Sequence, residues 1–84
     1  MQYRDLVYRI HARQSMFTRS ISDECVEHIV HHGEVIEDYP HAFPFPAKLL
    51  LGSCNGRSIH VVAAEDSSKQ LVIVITAYEP TPDK

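Results

Sequence analysis

The chain has 84 residues, a formal net charge of −3 and 44% apolar residues. This length fits one small domain, 1–84, and the apolar fraction is too high for a disordered chain. No apolar run approaches the ~20 residues that cross a bilayer, and the first ten residues mix charges with apolar residues, unlike a signal peptide. A cytoplasmic protein without a membrane partner is therefore expected.

The charges are unevenly spread along the chain. Residues 3–19 contain four arginines and one acid, whereas 22–39 contain six acids and neither Lys nor Arg. The acidic balance counts against a protein that holds nucleic acid by bulk charge, although the basic end could meet an anion. The two cysteines, Cys25 and Cys54, are too few and too far apart to indicate a disulfide framework, and we expect reduced thiols.

Two helices are predicted in the N-terminal half. The first, 3–19, lacks Gly and Pro and carries apolar residues near helical spacing, although the residues before Arg9 could also be extended. The second, 23–32, has Ser22 as its N-cap, acids in its first turn, and Gly33 placed to be the left-handed residue after its end.

The C-terminal half predicts a sheet. Residues 34–39 are a short strand or an extended lead-in, and the three prolines of 40–46 exclude regular structure there. Asn55-Gly56 predicts a type I′ turn between two strands. The remaining elements are strands at 47–53, 57–64 and 70–78 and a frayed tail at 80–84. The expected class is α+β, with two N-terminal helices packed on an antiparallel sheet of three to four strands.

The turns predict the register of this sheet. Asn55-Gly56 pairs Cys54 with Arg57, Leu51 with His60, and Leu49 with Val62. In the second hairpin, pairing Glu65 with Gln70 would put His60 opposite Ile75, and a one-residue slip would reverse the face. Strand 70–78 is nearly all apolar and β-branched, so burial on both faces is expected.

Polar side chains at the strand ends are candidates for chemistry. His60 interrupts an apolar strand and could be a general acid or base, or a half-buried histidine bonded to backbone or water. Arg57 could bind a phosphate or carboxylate, or be solvated. Tyr78 and Glu79 end the last strand, where a scaffold displays reactive groups but solvated residues also fall.

No metal or cofactor is predicted. His28 and His32 are four residues apart on a helix, but no HExxH pattern or third ligand accompanies them, so two exposed histidines are expected. Cys25 lies near a helix N-terminus, which can lower the pKa of a thiol, yet its position beside the apolar stripe favours core packing.

Several motifs carry a family resemblance: His11-Ala12-Arg13, Ser20-Ile21-Ser22, 33–40, Leu50-Leu51-Gly52, 56–62 and Tyr78-Glu79-Pro80. Together they resemble the bacterial family of domain of unknown function 4258 (DUF4258), in which Gly often stands at the position of Ser20. The resemblance implies an architecture similar to the RelE-like and BrnT-like toxins, the BECR type, in which N-terminal helices precede a curved antiparallel sheet.

Those toxins are metal-independent ribonucleases, so the resemblance implies a catalytic site made of His11, Arg57, His60, Tyr78 and Glu79. His11 or His60 would take the 2′-hydroxyl proton, and Arg57 with Arg13 would stabilise the charged phosphorane. Arg9 shares a helix face with Arg13 and would help to bind the substrate. RNA would be the substrate, and an antitoxin the partner.

The alternative is a non-catalytic binding or adaptor module. It would dimerise or dock a protein partner through the exposed sheet edge and the 40–46 loop. The two hypotheses predict different geometries. An enzyme requires His11, Arg57 and His60 to converge in one concave site, whereas a binding module leaves them scattered and displays the loop phenylalanines as an exposed patch.

Overall fold

A computed structural model describes residues 1–80 as a five-stranded sheet with two helices packed on one face. The elements are β1 Asp5–Tyr8, α1 Ile10–Arg19, α2 Asp23–His32, β2 Glu34–Tyr39, β3 Ala47–Cys54, β4 Arg57–Asp66 and β5 Leu71–Tyr78. The strand order is β1-β5-β4-β3-β2. The class is α+β as predicted, but the sheet has five strands and is mixed. All of the predicted tail beyond its first residue lies outside the described residues.

The first predicted helix, 3–19, is wrong at its N-terminal end. Residues Asp5–Tyr8 form β1, which pairs in parallel with β5, and the helix begins only at Ile10. Leu6 and Tyr8 pack against the main core while Val7 between them is exposed, which is the alternation of a strand. A short apolar segment fits the period of a helix as well as that of a strand, and here the pairing with the distant strand β5 makes the segment a strand.

The second helix begins and ends where predicted. The Cys25 N–H donates to Ser22 Oγ at 3.1 Å, as expected of an N-cap. The left-handed residue predicted at Gly33 is wrong, since its φ is −68°. Gly33 is needed for space, because an added Cβ would lie 2.5 Å from the Ile29 carbonyl oxygen. Of the residues that follow the two helices, Ser20 after α1 is the left-handed one, with φ 56°.

Each helix has ten residues. Within residues 1–80, neither is long and apolar enough to cross a membrane.

The first hairpin has the predicted register. Asn55 and Gly56 have φ of 54° and 77°, the positive values that a type I′ turn requires. The three predicted pairs of this hairpin are all present: Cys54 with Arg57, Leu51 with His60, and Leu49 with Val62. Residues 34–39 form β2, which pairs antiparallel with β3 and has a register shift between Val35 and Glu37.

The predicted register of the second hairpin is wrong. Asp66 pairs with Leu71, and a bulge follows Val62 in the ladder, so that His60 lies opposite Tyr78 rather than Ile75. A bulge adds one residue to one strand and cannot be read from alternation, because the inserted residue leaves the apolar pattern nearly unchanged.

The sheet has a helix-covered face and an open face. The helix-covered face holds the main core, which includes Met16, Ile29, Leu50, Ile59, Val61, Val72 and Val74. The open face holds a small second cluster, Ala47, Ala64 and Ile73, against which Phe45 of the 40–46 loop packs. β5 contributes to both clusters, which confirms its predicted burial on both faces.

Ile29 joins α2 to the sheet. Its side chain is fully buried, and Gly52 of β3 lets it approach closely. A Cβ added at Gly52 would lie 2.5 Å from Cγ1 of Ile29, which is too short for any real contact. Glycine at 52 therefore fixes how near α2 can lie to β3.

The prediction of two reduced thiols is wrong. Cys25 in the first turn of α2 and Cys54 at the end of β3 form a disulfide, with 5.7 Å between their Cα atoms. Their separation of 29 residues gave no local signal. The packing of α2 over the end of β3 brings them together, and Cys25 is buried in the main core, as its place beside the apolar stripe suggested.

Candidate functional site

The structure divides the predicted catalytic residues between the two sides of the sheet. Ile59 and Val61 of β4 point into the main core, so Arg57 lies on the helix-covered face and His60 on the open face. His11 is exposed on α1, which packs on the helix-covered face. The sheet therefore separates His60 from both His11 and Arg57, and the three do not form one concave site.

Arg57 joins the end of α1 to the end of β5. Its guanidinium donates to the carbonyl oxygens of Arg19 at 2.7 Å and Ser20 at 3.0 Å, and to Glu79 Oε1 at 3.1 Å. Unsatisfied carbonyls at a helix C-terminus carry partial negative charge, so a guanidinium is a favourable partner there. Arg57 and Glu79 thus meet as predicted, but three of the five guanidinium donors are engaged by groups of the chain itself.

The two arginines predicted to bind substrate, Arg9 and Arg13, lie at the start of α1 and within it. Arg13 pairs with Asp23 and stacks over the ring of Tyr8, with its guanidinium carbon 3.8 Å from the ring centroid. The Arg9 N–H donates to the Val74 carbonyl at 3.0 Å, which ties the start of α1 to β5. Neither contact brings these residues towards His60.

Tyr8 is a polar group inside the helix-covered face. Its hydroxyl is buried and is the one side-chain polar atom of residues 1–80 found buried without a hydrogen bond. Burial, followed by the charges of Asp23 and Glu27, raises the pKa of Tyr8 to about 12.

Two residues of the predicted catalytic site lie in contact with each other on the open face. His60 and Tyr78 are opposite each other on neighbouring strands, with 3.3 Å between Nδ1 and the phenol oxygen and 5.3 Å between ring centroids. The bulge that shifts the second hairpin makes this pairing. An imidazole and a phenol at this distance can share a proton, the contact a general acid or base needs.

Two further residues of the open face were missed by the sequence reasoning. Glu37 and Tyr39 of β2 pair with Leu49 and Ala47, and the Tyr39 hydroxyl donates to Glu37 Oε1. This hydrogen bond is the main reason why the pKa of Tyr39 is raised, followed by desolvation and the charge of Glu37, with Tyr78 the last of the causes. The signal that could have found them is the Glu-x-Tyr spacing, which puts both side chains on one face of a strand.

β2 is an edge strand, paired with β3 on one side and lying last in the strand order. All six of its residues are exposed. Three of them are acids, Glu34, Glu37 and Asp38; of these, Asp38 faces Lys48 of β3 at 3.7 Å. We call this strand, with its outer row of backbone groups, the β2 edge.

The 40–46 loop follows the β2 edge directly. Phe43 is 96% exposed, whereas Phe45 is half-buried against the second cluster. The loop therefore splits its two phenylalanines: Phe45 anchors it to the open face and Phe43 points into solvent. Together with Val35, Ile36 and Tyr39, Phe43 makes the end of the sheet at β2 rich in exposed apolar surface.

The histidine pair of α2 has no metal-site surroundings. His28 and His32 lie with ring centroids 5.1 Å apart. Across the described part of the chain, no group of three or more His, Cys, Asp or Glu side chains is placed to hold a metal ion.

These features define, within residues 1–80, an α+β module with one helix-covered face, one open face and an acidic edge strand. A family model described as Domain of unknown function (DUF4258) matches residues 8–79, from the end of β1 to the residue after β5. The chain therefore belongs to the DUF4258 family. No curated protein and no solved structure matches it.

Proposed function

We propose that this chain is a non-catalytic binding module that docks a protein partner along the β2 edge and the 40–46 loop. The observation that carries the proposal is that β2 is an edge strand of six exposed residues without a neighbour on its outer side among residues 1–80. Unpaired backbone N–H and C=O groups in a row are a template for an added strand.

The side chains around this edge support a protein partner. Val35, Ile36 and Tyr39 are each about two-fifths exposed or more, and Phe43 is almost wholly so. Aromatic and aliphatic groups of this kind are the anchors of protein interfaces. The prolines of the 40–46 loop reduce the freedom that it would lose when a partner binds.

The distribution of the predicted catalytic residues also supports a binding role. His11 and His60 lie on different sides of the sheet, and Arg57 is occupied by two helix carbonyls and Glu79. An enzyme would bring such groups to one point, whereas a binding module has no need to.

Selection from a displayed library of random twelve-residue peptides tests this proposal. We expect the selected peptides to protect the amides of β2 from hydrogen exchange. Phe43→Ser should weaken their binding by about tenfold or more, because truncation of an aromatic anchor that a bound peptide buries costs over ~1.4 kcal/mol. Phe17→Ser is the matched control, since Phe17 is 88% exposed on α1, away from the β2 edge. Equal loss in both variants, or protection confined to other elements, would contradict the proposal.

The second candidate function is a metal-independent ribonuclease of a toxin-antitoxin system, with RNA as substrate and an antitoxin as partner. The contact between His60 and Tyr78 on the open face favours it, because both groups can transfer protons. It ranks second because Arg13 and Arg57 are already paired with carboxylates of the chain itself, Asp23 and Glu79. Glu37 also adds negative charge to the open face, where His60 and Tyr78 lie.

Single-turnover cleavage of a labelled RNA pool without added metal tests this second candidate. Cleavage that leaves 2′,3′-cyclic ends, is lost in His60→Ala and survives in His11→Ala would support it. His11→Ala is the control because His11 lies on the other side of the sheet. Absence of cleavage by the wild type at high enzyme concentration would exclude this candidate.

A further inference from the structure

We infer that the segment accepted by the β2 edge is an extended peptide that alternates basic and apolar residues. This inference rests on the proposed function and adds the chemistry of the partner. Six strand residues present a row of backbone groups roughly 20 Å long, enough for five or six residues of an added strand. The side chains of β2 then select among the sequences that could pair with it.

Two acids of β2, which have no ion pair among residues 1–80, share one side of the strand. Glu34 and Glu37 pair with Leu51 and Leu49 of β3, whose side chains belong to the open face. Asp38, the third acid, pairs with Lys48 and lies on the other side of the strand. In an added strand, the residues that fall beside Glu34 and Glu37 would therefore be Lys or Arg.

On the other side of the edge, where Asp38 is paired with Lys48, the position beside Val35 favours an apolar residue. Val35 pairs with Leu50, whose side chain is buried in the main core, so Val35 lies on the helix-covered side at the rim of that core. It is 46% exposed, and an apolar neighbour on an added strand would cover it. Basic residues on one side and apolar residues on the other give the alternation.

Charge also argues against a second copy as the occupant. Two β2 edges paired antiparallel would bring six acids together, with the two Lys48 side chains beside them. Like charges across a strand pair are destabilising. An acidic edge thus disfavours pairing with itself and favours a basic partner.

Binding of short labelled peptides, measured by fluorescence anisotropy at low salt, tests the inference. The probes are an alternating Lys-Val hexapeptide, the matching Glu-Val and Ser-Val hexapeptides, and a block peptide of three lysines and three valines. We expect the alternating Lys-Val peptide to bind at least about tenfold more tightly than the others, with protection of the β2 amides from hydrogen exchange.

Charge reversal of the edge gives the reciprocal test. In Glu34→Lys/Glu37→Lys the Lys-Val peptide should lose this advantage and the Glu-Val peptide should gain it. Glu24→Lys/Glu27→Lys on α2 carries the same change of net charge at exposed helical positions and should leave the ranking unchanged.

The outcomes separate the inference from the proposed function. If all alternating peptides bind equally and protect β2, the edge accepts strands without a basic preference, and the inference alone is overturned. If no peptide binds and β2 stays unprotected, both fail. If the chain forms dimers that protect β2, a second copy covers the edge and the basic partner is overturned. A preference that follows net charge in the α2 variant as well would also overturn it.

Discussion

The two faces of the sheet alternate along the same strands yet use polar groups differently. On the helix-covered face, Arg57 is bonded to two carbonyls and a carboxylate, and Cys25 and Cys54 are joined to each other. On the open face, the one side-chain hydrogen bond found for His60 and Tyr78 among residues 1–80 is the bond between them. Polar groups of the first kind hold elements together, whereas those of the second kind remain free to meet a ligand.

The comparison explains why a residue type alone could not assign a role. Arg57 and His60 are three residues apart on one strand, and both have the chemistry of an active site. Their different parity puts them on different sides of the sheet. The neighbours on each side then decide whether the side chain is structural or available.

The largest expected effect is at the contact between α2 and β3. Ile29→Ala should lower the free energy of unfolding by about 2–5 kcal/mol, because it leaves a cavity in the main core. Gly52→Ala alone should cost about 1–3 kcal/mol by overpacking. In the double variant the added Cβ enters the space that Ile29 leaves, so the two costs should not add. Urea denaturation of all four proteins measures this, and strict additivity would show that Gly52 and Ile29 do not limit each other.

Reduction of the disulfide should have the next largest effect. The bond closes a loop of 29 residues between α2 and β3, and its loss should cost about 2–4 kcal/mol. The urea midpoint of the wild type is compared with and without reductant, and thiol titration checks that reduction is complete. Cys25→Ser/Cys54→Ser is the control and should not respond to reductant. An unchanged midpoint after complete reduction would show that the helix-covered face does not depend on this bond.

Tyr8 breaks the pattern of the helix-covered face because its buried hydroxyl has no partner. Tyr8→Phe removes that group and should raise the stability by about 1 kcal/mol at neutral pH. The pKa of Tyr8 is raised from 10.0 to about 12. The unfolded chain therefore ionises first, so the pH-dependent part of the stability from Tyr8 is complete below pH 10 and is lost as the pH rises towards 12. This ionisation effect is separate from the cost of the unpaired hydroxyl, which already applies at neutral pH.

Chemical denaturation at pH values on either side of 10 tests the Tyr8 prediction. The wild type should lose more stability over this interval than Tyr8→Phe. Equal pH dependence of the two proteins would mean that Tyr8 ionises alike in the folded and unfolded chains.

The sequence predicted what local chemistry decides. The N-cap Ser22, the Asn55-Gly56 turn and the register of the first hairpin follow from adjacent residues, and they are present. The features that were not predicted from the sequence depend on residues far apart in the chain. β1 becomes a strand because β5 pairs with it, and the two cysteines meet because α2 packs on β3.

The candidate site shows the same limit. Glu79 and Arg57 were predicted together and lie together, but the α1 carbonyls that engage Arg57 belong to a segment 37 or 38 residues earlier. The contact between His60 and Tyr78 needs a bulge that alternation cannot reveal. The position of β2 at the edge of the sheet follows from the order of all five strands. The apolar pattern of a single strand does not reveal that order.

The smallest expected effects compare the two faces directly. Arg57→Gln should lower the stability by about 1 kcal/mol, because it removes a clamp between α1 and β5 that is partly screened by solvent. His60→Gln should cost less than about 0.5 kcal/mol, because only the contact with Tyr78 is lost. Thermal unfolding of both variants at neutral pH makes the comparison. If His60→Gln costs as much as Arg57→Gln, the pair with Tyr78 holds β4 to β5, and the polar groups of the open face then stabilise the fold as much as those of the helix-covered face.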